Sequence, residues 1–183
     1  LDTRLEVYRG NARKVPSVSG FVVPEPCYTR SAYEQEILQR IYADLAPHDP
    51  DGILQFEWAN ARGAIARFDR GTIEIRVVDV QECPAADLAI VQAEICVLQA
   101  LVAEQFAPLP QQQAVDTREL HRLLLATAQA GDQVVLDSPE YLAIWGLKQP
   151  LTAGELWQYL LEATATPRKL EPATAEALQT IVD

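Results

Sequence analysis

Ala61–Gln81 reads ARGAIARFDRGTIEIRVVDVQ, and two features of it decide how the chain is read. The first is a change of period: AIARF and TIEIRVVDV alternate apolar and polar residues, as strands with one buried face do. Between them the DRG of Asp69–Gly71 has turn chemistry, so an antiparallel hairpin is expected. The second feature is charge. Arg62, Arg67, Arg70 and Arg76 crowd into this stretch although the whole chain carries a net charge of −11.

Side chains alternate along a strand, so Thr72, Glu74, Arg76 and Val78 share one face and Ile73, Ile75 and Val77 the other. The isoleucine face is expected to be core and the opposite face to carry the charge. A bare Glu-x-Arg most often decorates a wet face, where such a pair contributes about 0–1 kcal/mol. Arg62 and Arg67 add chemical sense to a functional reading. Guanidinium forks bind phosphate or carboxylate oxygens in pairs, and Glu74 is a hard oxygen ligand suited to Mg²⁺. The five-residue offset of Arg62 and Arg67 puts them on opposite faces of an ideal strand. Both can serve one site only if the strand bends, for which Gly63 is suited.

Outward from this stretch, the opening LDTRLEVYRG alternates like a further strand ending near Gly10, and the proline-containing NARKVPSVSGFVVPEPCY reads as a loop. Within that loop Arg13 and Lys14 either belong to an ordinary surface connection or close over phosphates. A helix fits RSAYEQEILQRIYADLAP, capped by Ser31 with Glu34 three residues on, and striped by Tyr33, Ile37, Ile41 and Leu45. ILQFEW, from Ile53, reads as a strand. After Pro84 the segment ADLAIVQAEICVLQALVAEQF is apolar on most of its helical surface and is expected to be buried, covering one face of the strands. Further helices are expected from Asp116 and Glu119 to Gly131, after Ser138, from the Thr152–Glu155 capping box, and from Pro172. The fold class is α+β, with an antiparallel sheet packed by helices over residues 1–108 and a helical subdomain over 109–183, joined at PLPQQQ.

With 183 residues, 49% of them hydrophobic, the chain is long enough to bury a core. Its acidity disfavours nucleic acid as a partner. No apolar run of about 20 residues is evident, so no membrane partner is expected and a cytoplasmic location is inferred. The chain begins at Leu1 and contains no methionine, which suggests a fragment or a processed product. Cys27, Cys83 and Cys96 form neither a disulfide framework nor a metal knuckle and read as buried thiols. Trp58, Trp145 and Trp157 fall where core residues are expected. His48 and His121 have no ligand at metal spacing, and there is no GxxxxGK[ST] or GxGxxG loop, so a bound nucleotide would have to lie on a sheet.

NARGAIARF followed by TIEIRVVDVQECPAADLAI resembles the carboxylate–amine ligases that include bacterial glutamate–cysteine ligases, a branch of the glutamine synthetase-like superfamily. DTRLEVYRGNARKVPSVSG, EWANARGAI, SPEYLAIWG and GELWQYLLE look like the same group, so the resemblance covers most of the chain. It implies a glutamine synthetase-like catalytic fold and an ATP- and Mg²⁺-dependent ligase of the kind used in glutathione biosynthesis. Such an enzyme phosphorylates the γ-carboxylate of glutamate, and an amine, usually that of cysteine, then displaces phosphate. On this resemblance Glu74 binds Mg²⁺, Arg76 contacts the transferring phosphoryl group or the substrate carboxylate, Arg62 and Arg67 hold nucleotide phosphates, and Asp79 completes the pattern. Members also carry a Glu-x-Glu strand, which is missing here: Glu34 and Glu36 have the spacing but lie in an expected helix. Thr72 stands where an arginine is common. The chain is thus expected to be the C-terminal half of a ligase, with an N-terminal half or second chain completing the site and a homo-oligomer possible. The alternative is a non-catalytic binding or scaffolding module that retains the ligase fold.

Overall fold

The turn at Asp69–Gly71 folds as the residues imply, with Gly71 at a φ of 61° that glycine adopts without steric cost. It joins β1 (Ala64–Arg67) to β2 (Thr72–Ile75) in an antiparallel pair that sets Ile65 opposite Glu74 and Arg67 opposite Thr72. β2 is shorter than the alternation suggests, although Arg76 N–H still donates to the Gly63 carbonyl at 2.8 Å. The assignment of faces is inverted. Ile65, which shares a face with Arg67 and Glu74, is 1% exposed, whereas Ile73 on the other face is 70% exposed. The arginine stems can lie inward because their polar ends find acceptors there.

The computed structural model describes residues 3–164; the helix expected from Pro172 lies outside the described residues. Among them, helices combine with two small antiparallel sheets in an α+β arrangement. Two compact units interleave along the chain, Leu1–Val78 with Asp116–Ala128 and Asp79–Val115 with Gln129–Asp183.

In the first unit, TRLEVYRG is a helix, α1 (Thr3–Gly10), and not the expected strand. Alternation would put Leu5 and Val7 on one face of a strand, but on a helix they point apart, and Leu5 is buried while Val7 is exposed. Tyr8, one turn from Leu5, donates its hydroxyl to the Ala61 carbonyl at 2.9 Å, and Glu6 pairs with Arg9 along the helix. The second helix, α2, runs continuously through Arg30–Ala32, a π-wound Tyr33–Leu38 and Gln39–Leu45. Its cap is Thr29, whose hydroxyl accepts from Ala32 N–H, so the capping residue lies two positions before the expected Ser31. ILQFEW is not a strand either. The buried Asp49 carboxylate accepts from the backbone N–H groups of Ile53 and Leu54 at 2.9 and 2.8 Å, diverting donors a ladder would need, and only a 3₁₀ turn, Glu57–Ala59, forms.

In the second unit, α3 (Pro84–Val102) packs Ala89 and Ala93 against Leu161, small residues that allow a close approach. The helix is only partly buried: Leu88, Val91, Ile95, Leu98 and Val102 are exposed on its other side. By length and composition, and contrary to expectation, it is long and apolar enough to cross a bilayer, with a mean hydropathy of 1.7 in its most apolar window. It also carries Asp87 and Glu94 and shares a core with a second helix, as core helices of folded units do. After α4 (Leu109–Gln113), α5 (Thr117–Ala130) crosses from the first unit and ends before Gly131, which has a φ of 62° as its position after a helix leads one to expect. β3 (Val135–Leu136) pairs with β4 (Leu151–Thr152), Ser138 caps α6 (Pro139–Ile144), and α7 (Ala153–Thr164) begins at the expected capping box. There Thr152 N–H donates to Glu155 at 2.7 Å and Glu155 N–H to the Thr152 hydroxyl at 3.2 Å. Of the three tryptophans only Trp145 is core, and Cys83 is exposed while Cys96 is buried.

These faces predict unequal costs of substitution. Leu160→Ala, in the α7 face that is buried, should destabilise the chain by about 2–5 kcal/mol. Ile95→Lys, on the exposed side of α3, should change stability by no more than about 0.5 kcal/mol. Urea denaturation of the two variants measures both, and equal losses would mean that the exposed side of α3 is in fact packed.

Candidate functional site

The four expected site residues do not form one cluster. Arg67, Glu74 and Arg76 come together on the inner face of the hairpin. Glu74 lies between the two arginines, one carboxylate oxygen accepting from Arg67 Nη1 at 2.7 Å and the other from Arg76 Nε at 2.8 Å. Arg76 is fixed further by donating to the backbone carbonyls of Asn60 at 2.7 Å and Trp58 at 3.2 Å. Arg67 also donates to Asp69, with both contacts at 3.3 Å, and its Nε stands 3.6 Å from a Glu57 oxygen.

Arg62 points elsewhere. It is 4% exposed, and it makes a two-pronged pair with Glu25 while Nη1 donates to the Ser17 carbonyl at 3.1 Å and the Asn60 side-chain oxygen at 3.0 Å. The five-residue offset from Arg67 therefore has its ideal-strand consequence. Gly63 does not bend the two arginines together; it allows a close approach instead, since a Cβ there would lie 3.2 Å from Val77. Arg62 organises the 17–25 loop. Ala61 N–H donates to the Val18 carbonyl and Gly63 N–H to the Val22 carbonyl, each at 2.7 Å. Gly20 has a φ of 52°, and a Cβ on it would lie 2.9 Å from the Arg62 guanidinium, so glycine is required twice over.

Electrostatics follow these contacts. The Arg67 hydrogen bond, with that of Arg76, holds the Glu74 carboxyl below the ordinary glutamate range despite some desolvation. Asp69 is likewise lowered, first by Arg67. Glu57 moves the other way: burial, with Asp69 beside it, pushes its carboxyl up, and its Oε2 is buried without a hydrogen-bond partner. Glu57 and Glu25 are not candidate residues on the sequence alone, Asp69 reads there only as part of a turn and Asn60 only as part of a motif. Glu57 and Asn60 stand in EWANARGAI, where a carboxylate and an amide just before a strand offered a signal; Glu25 is remote in sequence and offered none.

No group of three His, Cys, Asp or Glu side chains able to hold a cation converges among the described residues, so a dedicated protein cage is not what these residues make. A Mg²⁺ held through one or two carboxylates and the phosphates of a nucleotide asks less; Glu74 is the carboxylate that would hold one here, and it would have to give up an arginine to do so.

The Arg62–Glu25 pair sets a pH dependence. Burial raises the Glu25 carboxyl, but the hydrogen bond and charge of Arg62 outweigh it, leaving its pKa lowered. The pair thus stabilises the fold above the ordinary glutamate range, and this stability is lost as pH falls through the lowered value. Arg62→Ala should cost about 2–4 kcal/mol at neutral pH, because Glu25, the Ser17 carbonyl and Asn60 all lose a donor. Glu25→Gln should flatten the acid limb of stability against pH. Urea midpoints from pH 3 to 7 give both results, and an unchanged acid limb in Glu25→Gln would contradict the pairing.

Comparison with known proteins finds one protein of Archaeoglobus fulgidus, described as uncharacterized, to which the chain is 38% identical over 104 residues. Those residues are 57% of this chain and 28% of that protein, so the chain matches less than a third of the relative's length. No family model matches the chain. No solved structure matches it either.

Proposed function

We propose that the chain is the C-terminal portion of an ATP- and Mg²⁺-dependent carboxylate–amine ligase of the glutamate–cysteine ligase kind, with a glutamine synthetase-like catalytic fold and a cytoplasmic place of work. The observation that carries the reading is Glu74 held between Arg67 and Arg76 on the inner face of an antiparallel hairpin. It combines, on one hairpin, a hard oxygen ligand with two forks for phosphoryl or carboxylate oxygens.

In the reaction the γ-phosphoryl group of ATP passes to the γ-carboxylate of glutamate, giving an acyl phosphate and ADP. The amine nitrogen then attacks the acyl carbon and inorganic phosphate leaves. Mg²⁺, bound with the nucleotide, supplies positive charge for the phosphate oxygens, and Glu74 is the residue that would hold it. Arg76, anchored by the carbonyls of Asn60 and Trp58, presents fixed positive charge to the transferring group. Arg67 takes nucleotide phosphate, while Arg62 supports the 17–25 loop beside the hairpin. Positioning and preorganised charge of this kind are the main contribution a protein makes to phosphoryl transfer. A further part of the protein, an N-terminal half or a second chain, supplies the remaining carboxylates.

In the full-length protein, Glu74→Gln and Arg76→Ala should each lower ligation by about 10²-fold or more, with circular dichroism largely unchanged. Phosphate release in the presence of ATP, glutamate and cysteine is the measurement. Turnover like that of the wild type in either variant would remove these residues from the mechanism.

One observation favours a non-catalytic module instead: both Glu74 oxygens are already engaged by arginines, as in a structural lock. Calorimetry with Mg·ATP distinguishes the readings. Nucleotide binding without phosphate release for any amino acid pair supports the module.

A further inference from the structure

A cavity of about 470 Å³ opens in the second unit where α3, the Gly131–Gln133 turn, β4 and α7 meet. It is within the roughly 300–1,000 Å³ range of small-molecule sites. Ile90 and Leu161 supply apolar lining and Trp157 an indole that is 45% exposed. The charged groups lining it are all carboxylates, from Glu94, Asp132 and Glu155, and among the described residues no lysine or arginine lines it. Two of these acids are already used. An Asp132 oxygen accepts from the Gln133 amide at 2.8 Å, and Glu155 Oε2 accepts from Thr152 N–H and hydroxyl in the α7 cap. Glu94 differs from both: it is partly buried, and among the described residues no hydrogen bond or ion pair reaches it.

We propose that this cavity binds a small organic cation, an ammonium group on an aromatic or aliphatic body, with Glu94 as its counter-charge and Trp157 as the wall against which it lies. A desolvated carboxylate without a donor is unfavourable, and burial does raise the Glu94 carboxyl. An ammonium removes that cost through a charge-assisted hydrogen bond. The indole face attracts the same charge, and the apolar lining takes the body of the ligand. An anion meets three carboxylates and, among the described residues, no cation. The proposal is independent of the ligase reading, since every lining residue belongs to the second unit and Arg67, Glu74 and Arg76 to the first.

Isothermal titration of the intact chain with phenethylamine and with 3-phenylpropionate tests it, because the two probes share a ring and linker and differ in the sign of their charge. Saturable binding of the amine below ~10 mM and none of the carboxylate is expected. Glu94→Gln should weaken the amine about tenfold or more at an unchanged melting temperature. Trp157→Ala, at an exposed position that leaves the core intact, should weaken it severalfold and keeps the test decisive if Glu94→Gln fails to fold. Equal binding of the two probes, no saturation by the amine, or affinity unaffected in the folded variants would overturn the assignment.

Discussion

Asn60 has no exposure to solvent, and each of its polar groups is used. Its side-chain amide donates to the Tyr33 hydroxyl at 2.8 Å, and its side-chain oxygen accepts from Arg62 at both backbone and guanidinium. Its own carbonyl accepts from Arg76 at 2.7 Å, and its N–H donates to the Glu57 carbonyl at 3.1 Å. Tyr33 in turn accepts from Ala66 N–H in β1 at 3.2 Å. One buried amide thus connects α2, the hairpin, the Arg62 anchor and the Arg76 arm. A buried polar network stabilises only when every member is satisfied, and the geometry of one member then fixes the others. The orientation of Arg76 toward Glu74 is a consequence of this node as much as of β2.

What could be read in the sequence was what short-range chemistry determines. The capping box at Thr152 and Glu155, the stop at Gly131 and the DRG turn depend on hydrogen bonds or backbone angles within a few residues, and each formed. The grouping of Glu74 with Arg76 followed from strand alternation alone. Which face of β2 turned inward could not follow from it, because the arginines lie inward only when remote carbonyls accept their hydrogens, here those of Asn60 and Trp58. Similarly, Leu5 and Val7 alternate like a strand pair, yet Leu5 and Tyr8 decide the element by packing one turn apart. Arg62 was misgrouped with Arg67 for want of its partner, Glu25, which lies 37 residues away in sequence.

The excess of arginine in an acidic chain has a local account. Arg62 meets Glu25, Arg67 meets Asp69 and Glu74, Arg70 meets Asp69, and Arg76 meets Glu74. Each of these arginines has a carboxylate partner, so the charge of the stretch says little about a polyanionic partner. Glu57, just upstream of the stretch, is a carboxyl raised by burial and placed 3.6 Å from Arg67, beyond hydrogen-bond reach.

That neutralisation constrains any chemistry at the hairpin. An anion arriving alone must displace Glu74 or Asp69 from Arg67, exchanging one oxygen partner for another with little net gain. A cation arriving alone must draw Glu74 away from two guanidinium groups. A metal and a polyphosphate entering together would give Glu74 a cation and the arginines beside it an anion, so neither partner would be left without an opposite charge. On the ligase reading, Glu74 between Arg67 and Arg76 is therefore the resting arrangement of a site that admits its metal and its phosphates as one, and that binds either of them weakly in the absence of the other.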